Sequence, residues 1–215
     1  MGARALRRDG PARRARRSPG SLRVTTKLTT EAAVRAILPP LSGHALVCAN
    51  GFLSRWACAL GDRPECFYMI GSMGLASSIG LGIALAKPEQ PVAVLDGDGN
   101  VLMNLGSLPM IAVAAPRRFV HVVVDNGVYA STGNQPTISG RVALEEIAAA
   151  SGYRRVERVR DASAIERELA AFAAADGPGF LLVETEPESG APAPRIPFTP
   201  EEMTARMRGA LASRR

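Results

Sequence analysis

Two carboxylates stand among glycines where an apolar run ends: Asp96 and Asp98, in VAVLDGDGNVLMNLG over residues 92–106. Flanked by Gly97 and Gly99 at the start of a helix-like stretch, Asp98 can hold a metal ion beside bare backbone N–H groups. Both the ion and the helix start favour phosphate oxygens. That is the chemistry of a metal-plus-diphosphate site, although the triplet alone equally suits a turn that caps a helix. A second oxygen donor shifts the balance. After Gly99, 26 residues (100–125) lead to Asn126, which ends the apolar run FVHVVVD and is followed by Gly127-Val128-Tyr129. Asp98, the Asn126 side-chain amide and a backbone carbonyl just beyond it, completed by two phosphate oxygens and a water, form an octahedral magnesium shell.

Such groups converge only if the right elements carry them. TTEAAVRAIL has a threonine cap, a glutamate close behind and apolar residues at helical spacing, and Pro39-Pro40 stops it. HALVCAN and CFYMI are short apolar runs that end in the polar turns Asn50-Gly51 and GSMG; PVAVLD, FVHVVVD and GFLLVET are three more. Runs so poor in polar positions belong to strands covered on both faces, as in a parallel sheet. Helical stretches intervene at 75–86, 107–115, 142–151 and 162–175, so strand and helix alternate through most of the chain. The expected fold is a doubly wound α/β domain, mainly parallel, with helices on both faces. In such sheets the loops at the carboxyl ends of the strands build the ligand site, and ANGFLSR, GSMG, DGDGN and DNGVYASTGNQPT are expected to converge there.

Composition sets the remaining bounds. The chain has 215 residues, enough for one sizeable core, and 47% of them are hydrophobic. The formal net charge of +6 suggests nucleic acid until it is located: residues 1–24 hold eight arginines and one acid, which leaves −1 for the rest. Residues 1–25 therefore read as a disordered Arg-rich extension without the apolar stretch of a secretory signal. Residues 26–188 read as the domain, and 189–215 as an extended arm with a capped helix that can pack on a partner. GLASSIGLGIALA is too short and too rich in serine to span a bilayer. Cys48, Cys58 and Cys66 have no CxxC spacing. Neither zinc nor a disulfide framework is expected, and a reducing cytoplasm is the simplest location.

The paired GDG and Asn resemble the thiamine diphosphate motif. From about Thr30 onward, ANGFLSR, FYMIGSMGLASSIGLGIAL, LDGDGNVLMNLGSL, VVVDNGVYASTGNQPT and PRIPFTPEEM resemble the sulfopyruvate decarboxylase β subunits and related phosphonopyruvate decarboxylases. The resemblance implies thiamine diphosphate and Mg2+ as cofactors. Asp98, Asn126 and the Val128 carbonyl are then the metal ligands, and Gly97, Gly99 and Asn100, with Asn50 and Ser54, contact the diphosphate. The Gly71 carbonyl accepts from the cofactor's 4′-amino group, Met73 is the apolar wedge beneath its bend, and Ser72 and Tyr129 complete the contact set. Tyr129 stands where the phosphonopyruvate relatives often have His, which favours the sulfopyruvate branch. Asn134 replaces a glycine of their loop and tolerates the same left-handed backbone.

The resemblance also implies what this chain lacks. The glutamate that activates the pyrimidine ring comes from a separate pyrimidine-binding domain, so the chain is expected to be half an active site and to need an α subunit in a hetero-oligomer. The substrate is then a small acidic 2-keto acid, with no role for nucleic acid or membrane. Alternatives are a phosphonopyruvate decarboxylase subunit, a fragment of a longer enzyme such as an acetolactate synthase, and a non-catalytic cofactor-binding module. Ser131, Thr132 and Gln135 are either substrate contacts or a loop making its own turn. Arg55 either faces a substrate anion or is a surface charge, and His121 reads as a hydrogen-bonded strand residue.

Overall fold

The computed structural model describes residues 28–191 and 193–213, so the Arg-rich stretch 1–25 lies outside the described residues. In chain order the elements are α1 (Thr30–Ile37), β1 (Ala45–Cys48), α2 (Phe52–Gly61), β2 (Cys66–Tyr68), α3 (Ala76–Ala86), β3 (Val92–Gly97), α4 (Asp98–Met103), α5 (Ser107–Ala114) and β4 (Phe119–Asp125). A small hairpin of β5 (Val128–Tyr129) and β6 (Gln135–Pro136) follows. The chain then runs through α6 (Leu144–Ser151), β7 (Arg155–Val159), α7 (Ala162–Ala173), β8 (Gly179–Glu184) and α8 (Pro200–Ser213).

Six strands form one parallel sheet in the order β2-β1-β3-β4-β8-β7. The strand order reverses between β1 and β3, so the loops after those two strands part to opposite sides and open a crevice. Alternate strand residues feed two cores. Leu46, Leu95, Val122 and Leu181 face one side with α1, α2 and α7, whereas Val47, Val94, Val123 and Leu182 face the other with α3, α5 and α6. This two-sided burial is what the continuous apolar runs require. Thr29 caps α1, its hydroxyl accepting from the Ala32 amide at 3.2 Å.

Three features differ from the sequence reading. GFLSR is not only a turn: α2 begins at Phe52, and Leu53, Trp56, Ala57 and Leu60 supply the apolar stripe that docks it on the sheet. β7 is a further strand, charged because it lies at the sheet edge, where Arg155 pairs with Glu168 at 2.6 Å and Arg158 with Glu145 at 2.6 Å. The C-terminal arm ends on this chain's own sheet. Thr199 and Glu202 cap α8 reciprocally (2.8 and 3.2 Å), and Met203 and Met207 are buried where the helix covers β2. No helix among the described residues is long and apolar enough to cross a membrane.

Candidate functional site

The loops after β1, β3 and β4 meet over the crevice. One cleft is lined by Asn50, Gly51, Phe52 and Leu53 from the first, Gly97, Asp98, Gly99 and Asn100 from the second, and Asn126, Val128, Tyr129 and Ser131 from the third. Met73 from the turn after β2, Thr30 from α1 and Glu188 from the C-terminal arm complete the wall. Nine of the twelve expected cofactor contacts therefore lie together. Ser54 does not join them: it is buried in the first turn of α2 and donates to the Gly51 carbonyl at 3.1 Å. Gly71 and Ser72, just before Met73 on the same turn, are exposed and not part of the cleft wall, with Ser72 at φ 55°.

Local chemistry explains the backbone. Gly51 precedes α2 at φ 97° and Gly97 precedes α4, and neither helix start has a side-chain cap. The first N–H groups of both are thus left for a ligand, and oxyanions are the groups they prefer. Gly99 is required by a close approach, since a Cβ there would fall 2.5 Å from the Tyr129 ring. Asn126 forms an Asx turn, its Oδ1 accepting from the Val128 amide at 3.0 Å, which sets the Val128 backbone beside the Asn126 side chain. Asn134 adopts φ 59°, as its glycine-like position requires.

Asp98 is 2% exposed and takes a 2.5 Å hydrogen bond from Thr137 Oγ1 on one carboxylate oxygen. Burial pushes its pKa up to about 6, with Asp125 nearby adding repulsion and the Thr137 bond opposing both. A buried carboxylate is stabilised by a counter-charge. Asp125 is in turn held by Ser139 at 2.7 Å and the Gly127 amide at 3.1 Å, so the 137–139 turn braces both acids. Two buried acceptors, Asn50 Oδ1 and Glu188 Oε2, have no partner of their own and belong to residues of the cleft wall. The other Glu188 oxygen accepts from Trp56 Nε1 at 2.8 Å. The Asp98 carboxylate, an orphaned Asn50 amide oxygen and bare helix starts in one crevice fit a diphosphate held through a divalent cation.

Two ties join the Gly97–Asn100 turn to its neighbours. The Gly74 amide donates to Asn100 Oδ1 at 3.2 Å, and Asn104 Nδ2 donates to the Gly74 carbonyl at 2.9 Å, so the turn bearing Met73 moves with α4. Below the motif, Asp96 Oδ1 accepts from the Gly97 amide at 3.0 Å, Asp96 Oδ2 lies 3.1 Å from His121 Nε2, and His121 Nδ1 lies 3.3 Å from the Tyr153 hydroxyl. Asp96 thus serves the turn from the core, and His121 is a buried link rather than a base at the cleft.

Thr132 and Gln135 bond to each other, whereas Ser131 reaches the cleft. Arg55 lies with its guanidinium 5.2 Å from the centre of the Phe52 ring, itself part of the cleft wall. Sequence reasoning missed Thr137 and Glu188. Thr137 closes the stretch DNGVYASTGNQPT, but nothing in its local sequence marks it as a partner for Asp98, and Glu188 lies beyond β8 on a segment that Trp56 holds over the cleft.

A family model described as thiamine pyrophosphate enzyme, C-terminal TPP binding domain, matches residues 50–184. The phosphonopyruvate decarboxylase of Streptomyces hygroscopicus is 42% identical over 91% of this chain and 48% of its own length. The sulfopyruvate decarboxylase subunit beta of Methanothermobacter thermautotrophicus is 41% identical over 81% of this chain and 90% of its own. The chain thus spans about half of the phosphonopyruvate decarboxylases it matches, but most of that β subunit. Among solved structures, benzoylformate decarboxylase from Polynucleobacter necessarius shares the fold with a TM-score of 0.65 at 15% identity, over 80% of this chain and 36% of that one.

Proposed function

The chain belongs to the thiamine pyrophosphate enzymes as their C-terminal TPP-binding domain, and from that premise we propose that it is the diphosphate-binding β subunit of a thiamine diphosphate- and Mg2+-dependent decarboxylase. Its substrate is an acidic 2-keto acid, 3-sulfopyruvate, which yields sulfoacetaldehyde and carbon dioxide. The observation that carries the reading is the meeting of buried Asp98 with Asn126 and Val128 at the switch point, beside two uncapped helix starts. The 90% coverage of a relative that is itself a β subunit supports the split architecture.

In this reading Asp98 and Asn126 side chains and the Val128 carbonyl hold Mg2+. The Gly97–Asn100 turn, Asn50 and the start of α2 hold the diphosphate, with Ser54 fixing that start from beneath. When bound, thiamine diphosphate supplies the nucleophilic carbon and the electron sink for decarboxylation. Met73 would pack against the bound cofactor and keep water from it, and the Gly71 carbonyl would accept a hydrogen bond from the cofactor's amino group, with Ser72 beside it on the side the partner closes. Tyr129 packs over Gly99 and holds the glycine turn against the diphosphate. A pyrimidine-binding α subunit supplies the glutamate, and the assembly is a cytoplasmic hetero-oligomer, in keeping with three unpaired cysteines.

The second reading is phosphonopyruvate as substrate, favoured by 42% identity to that enzyme over nearly the whole chain. The deciding experiment is calorimetric titration of thiamine diphosphate and Mg2+ into the chain alone and with a candidate α subunit, then carbon dioxide release from both acids. Binding and turnover only in the mixture, with sulfopyruvate preferred, is the expected result. A preference for phosphonopyruvate selects the second reading, and no binding in either case overturns both.

A further inference from the structure

Three polar side chains lie in the core that α3, α5 and α6 cover, among Val94, Val123, Phe180 and Leu182. Asp96 of β3 and His121 of β4 are at most 1% exposed, and Tyr153, just past the end of α6, is buried as well. The Phe180 ring meets both aromatic partners edge-on, His121 at 5.3 Å between centres and Tyr153 at 5.6 Å. Polar groups in such surroundings are costly unless each is paired. A neutral imidazole pairs all of them: the Tyr153 hydroxyl donates to Nδ1 over 3.3 Å, Nε2–H donates to Asp96 Oδ2 over 3.1 Å, and Asp96 Oδ1 accepts the Gly97 amide at 3.0 Å. The chain of bonds starts at the end of α6 and finishes on the backbone of the Gly97–Asn100 turn.

We propose that Asp96 is a positioning residue for the metal ligand Asp98, kept in its working orientation by His121 and Tyr153; the inference rests on the reading of the cleft as a thiamine diphosphate and Mg2+ site. Stability does not call for these groups, since apolar residues of similar volume serve a core as well as a buried ionic pair or better. The turn does call for them. Gly97 and Gly99 flank Asp98 and leave the backbone free to take many conformations, most of which aim the carboxylate away from the ion. Three contacts remove that freedom. Thr137 holds the Asp98 carboxylate from the loop side, the Tyr129 ring closes on Gly99, and Asp96 holds the Gly97 amide from the core side. An aspartate alone could swing and release the amide, but its second oxygen is fixed by His121, and His121 is fixed by Tyr153. The carboxylate cannot rotate without breaking further buried bonds, so the ligand is already aimed when the ion arrives.

The test is calorimetric titration of Mg2+ at fixed thiamine diphosphate into the full chain with its candidate α subunit, alongside thermal unfolding of each variant. Asp96→Asn keeps an acceptor for the Gly97 amide and gains an amide that can donate to His121 Nε2, so it should bind Mg2+ nearly as the unmodified chain does. Asp96→Leu removes the acceptor and should weaken Mg2+ binding by about 10–100-fold. Tyr153→Phe, the mildest cut, frees His121 to turn and should weaken it by a smaller factor. Because Asp96→Leu also leaves His121 buried without a partner, the triple change Asp96→Leu, His121→Phe and Tyr153→Phe makes the whole chain of groups apolar. It should unfold at or above the temperature of Asp96→Leu and still bind Mg2+ as weakly, a split that a purely structural role does not give. Affinity that recovers with stability in the triple variant overturns the inference, as does unchanged affinity in Asp96→Leu or in Tyr153→Phe, or a loss in Asp96→Asn equal to that in Asp96→Leu. If the unmodified assembly binds neither Mg2+ nor thiamine diphosphate, the reading of the cleft falls and this inference falls with it.

Discussion

Replacing Asp98 by Asn should act on stability and on binding in opposite directions. Its carboxyl is 2% exposed, and burial raises its pKa from 3.8 to about 6. Because the folded-state value lies above the unfolded one, the ionised group destabilises the metal-free fold: the penalty is absent below the unfolded value, grows as pH rises from about 4 to 6, and is complete above that. At 1.36 kcal/mol per tenfold change in acidity, the full penalty is about 3 kcal/mol. Asn keeps an acceptor for Thr137 Oγ1 and loses the charge. Urea unfolding of Asp98→Asn without metal should therefore show a gain of about 3 kcal/mol at pH 7.5 that shrinks to about 1 kcal/mol at pH 4.5. In a domain of this size that is a rise in Tm of roughly 6–12 °C at neutral pH. The same variant should lose Mg2+-dependent affinity for thiamine diphosphate in the assembled enzyme. A stability change of the wrong sign or one independent of pH would refute the electrostatic account, and retained affinity would refute the ligand assignment.

Three further outcomes follow from other contacts. Burial beside Arg63 lowers the His44 pKa to about 4, so the neutral ring is favoured in the fold and stability falls as pH drops from about 6.5 towards 4; His44→Gln should recover about 2 kcal/mol at pH 5 by urea unfolding and nothing at pH 7.5. Tyr153→Phe leaves His121 Nδ1 buried without its 3.3 Å partner and should cost about 1–3 kcal/mol in thermal unfolding; an unchanged Tm would show that the contact carries no weight. Gly99→Ala drives a Cβ into the Tyr129 ring and should weaken cofactor binding, and the double change with Tyr129→Ala should recover affinity; no recovery would place the damage elsewhere.

Much of the site could be read before the fold because its signals are local. The glycines around Asp98 mark a turn, Asn126 ends an apolar run, and the spacing between them matches one strand-helix-strand passage. The alternating two-sided cores were legible for the same reason, since β3 and β4 have almost no polar positions. Strand order was not: the β1–β3 switch point is a pairing of distant segments, and no short stretch records it. β7 was hidden by its charges, which belong to an edge strand and to partners on α6 and α7. The helix after Gly51 was legible in the spacing of Leu53, Trp56, Ala57 and Leu60, but the glycine turn before it drew the reading to a loop. The bond from Thr137 to Asp98 and the place of Glu188 in the cleft wall depend on how distant segments fold together, which no short stretch records.

Four of the chain's methionines stand in two contrasting environments. Met203 and Met207 are the residues by which α8 is buried against the sheet, whereas Met103 and Met110 are 60% and 65% exposed on the outer sides of α4 and α5. Oxidation to the sulfoxide makes a polar group of an apolar one, and exposed thioethers react first. Peroxide should therefore oxidise Met103 and Met110 before the buried pair, and the oxidised chain should stay folded with its core thioethers intact.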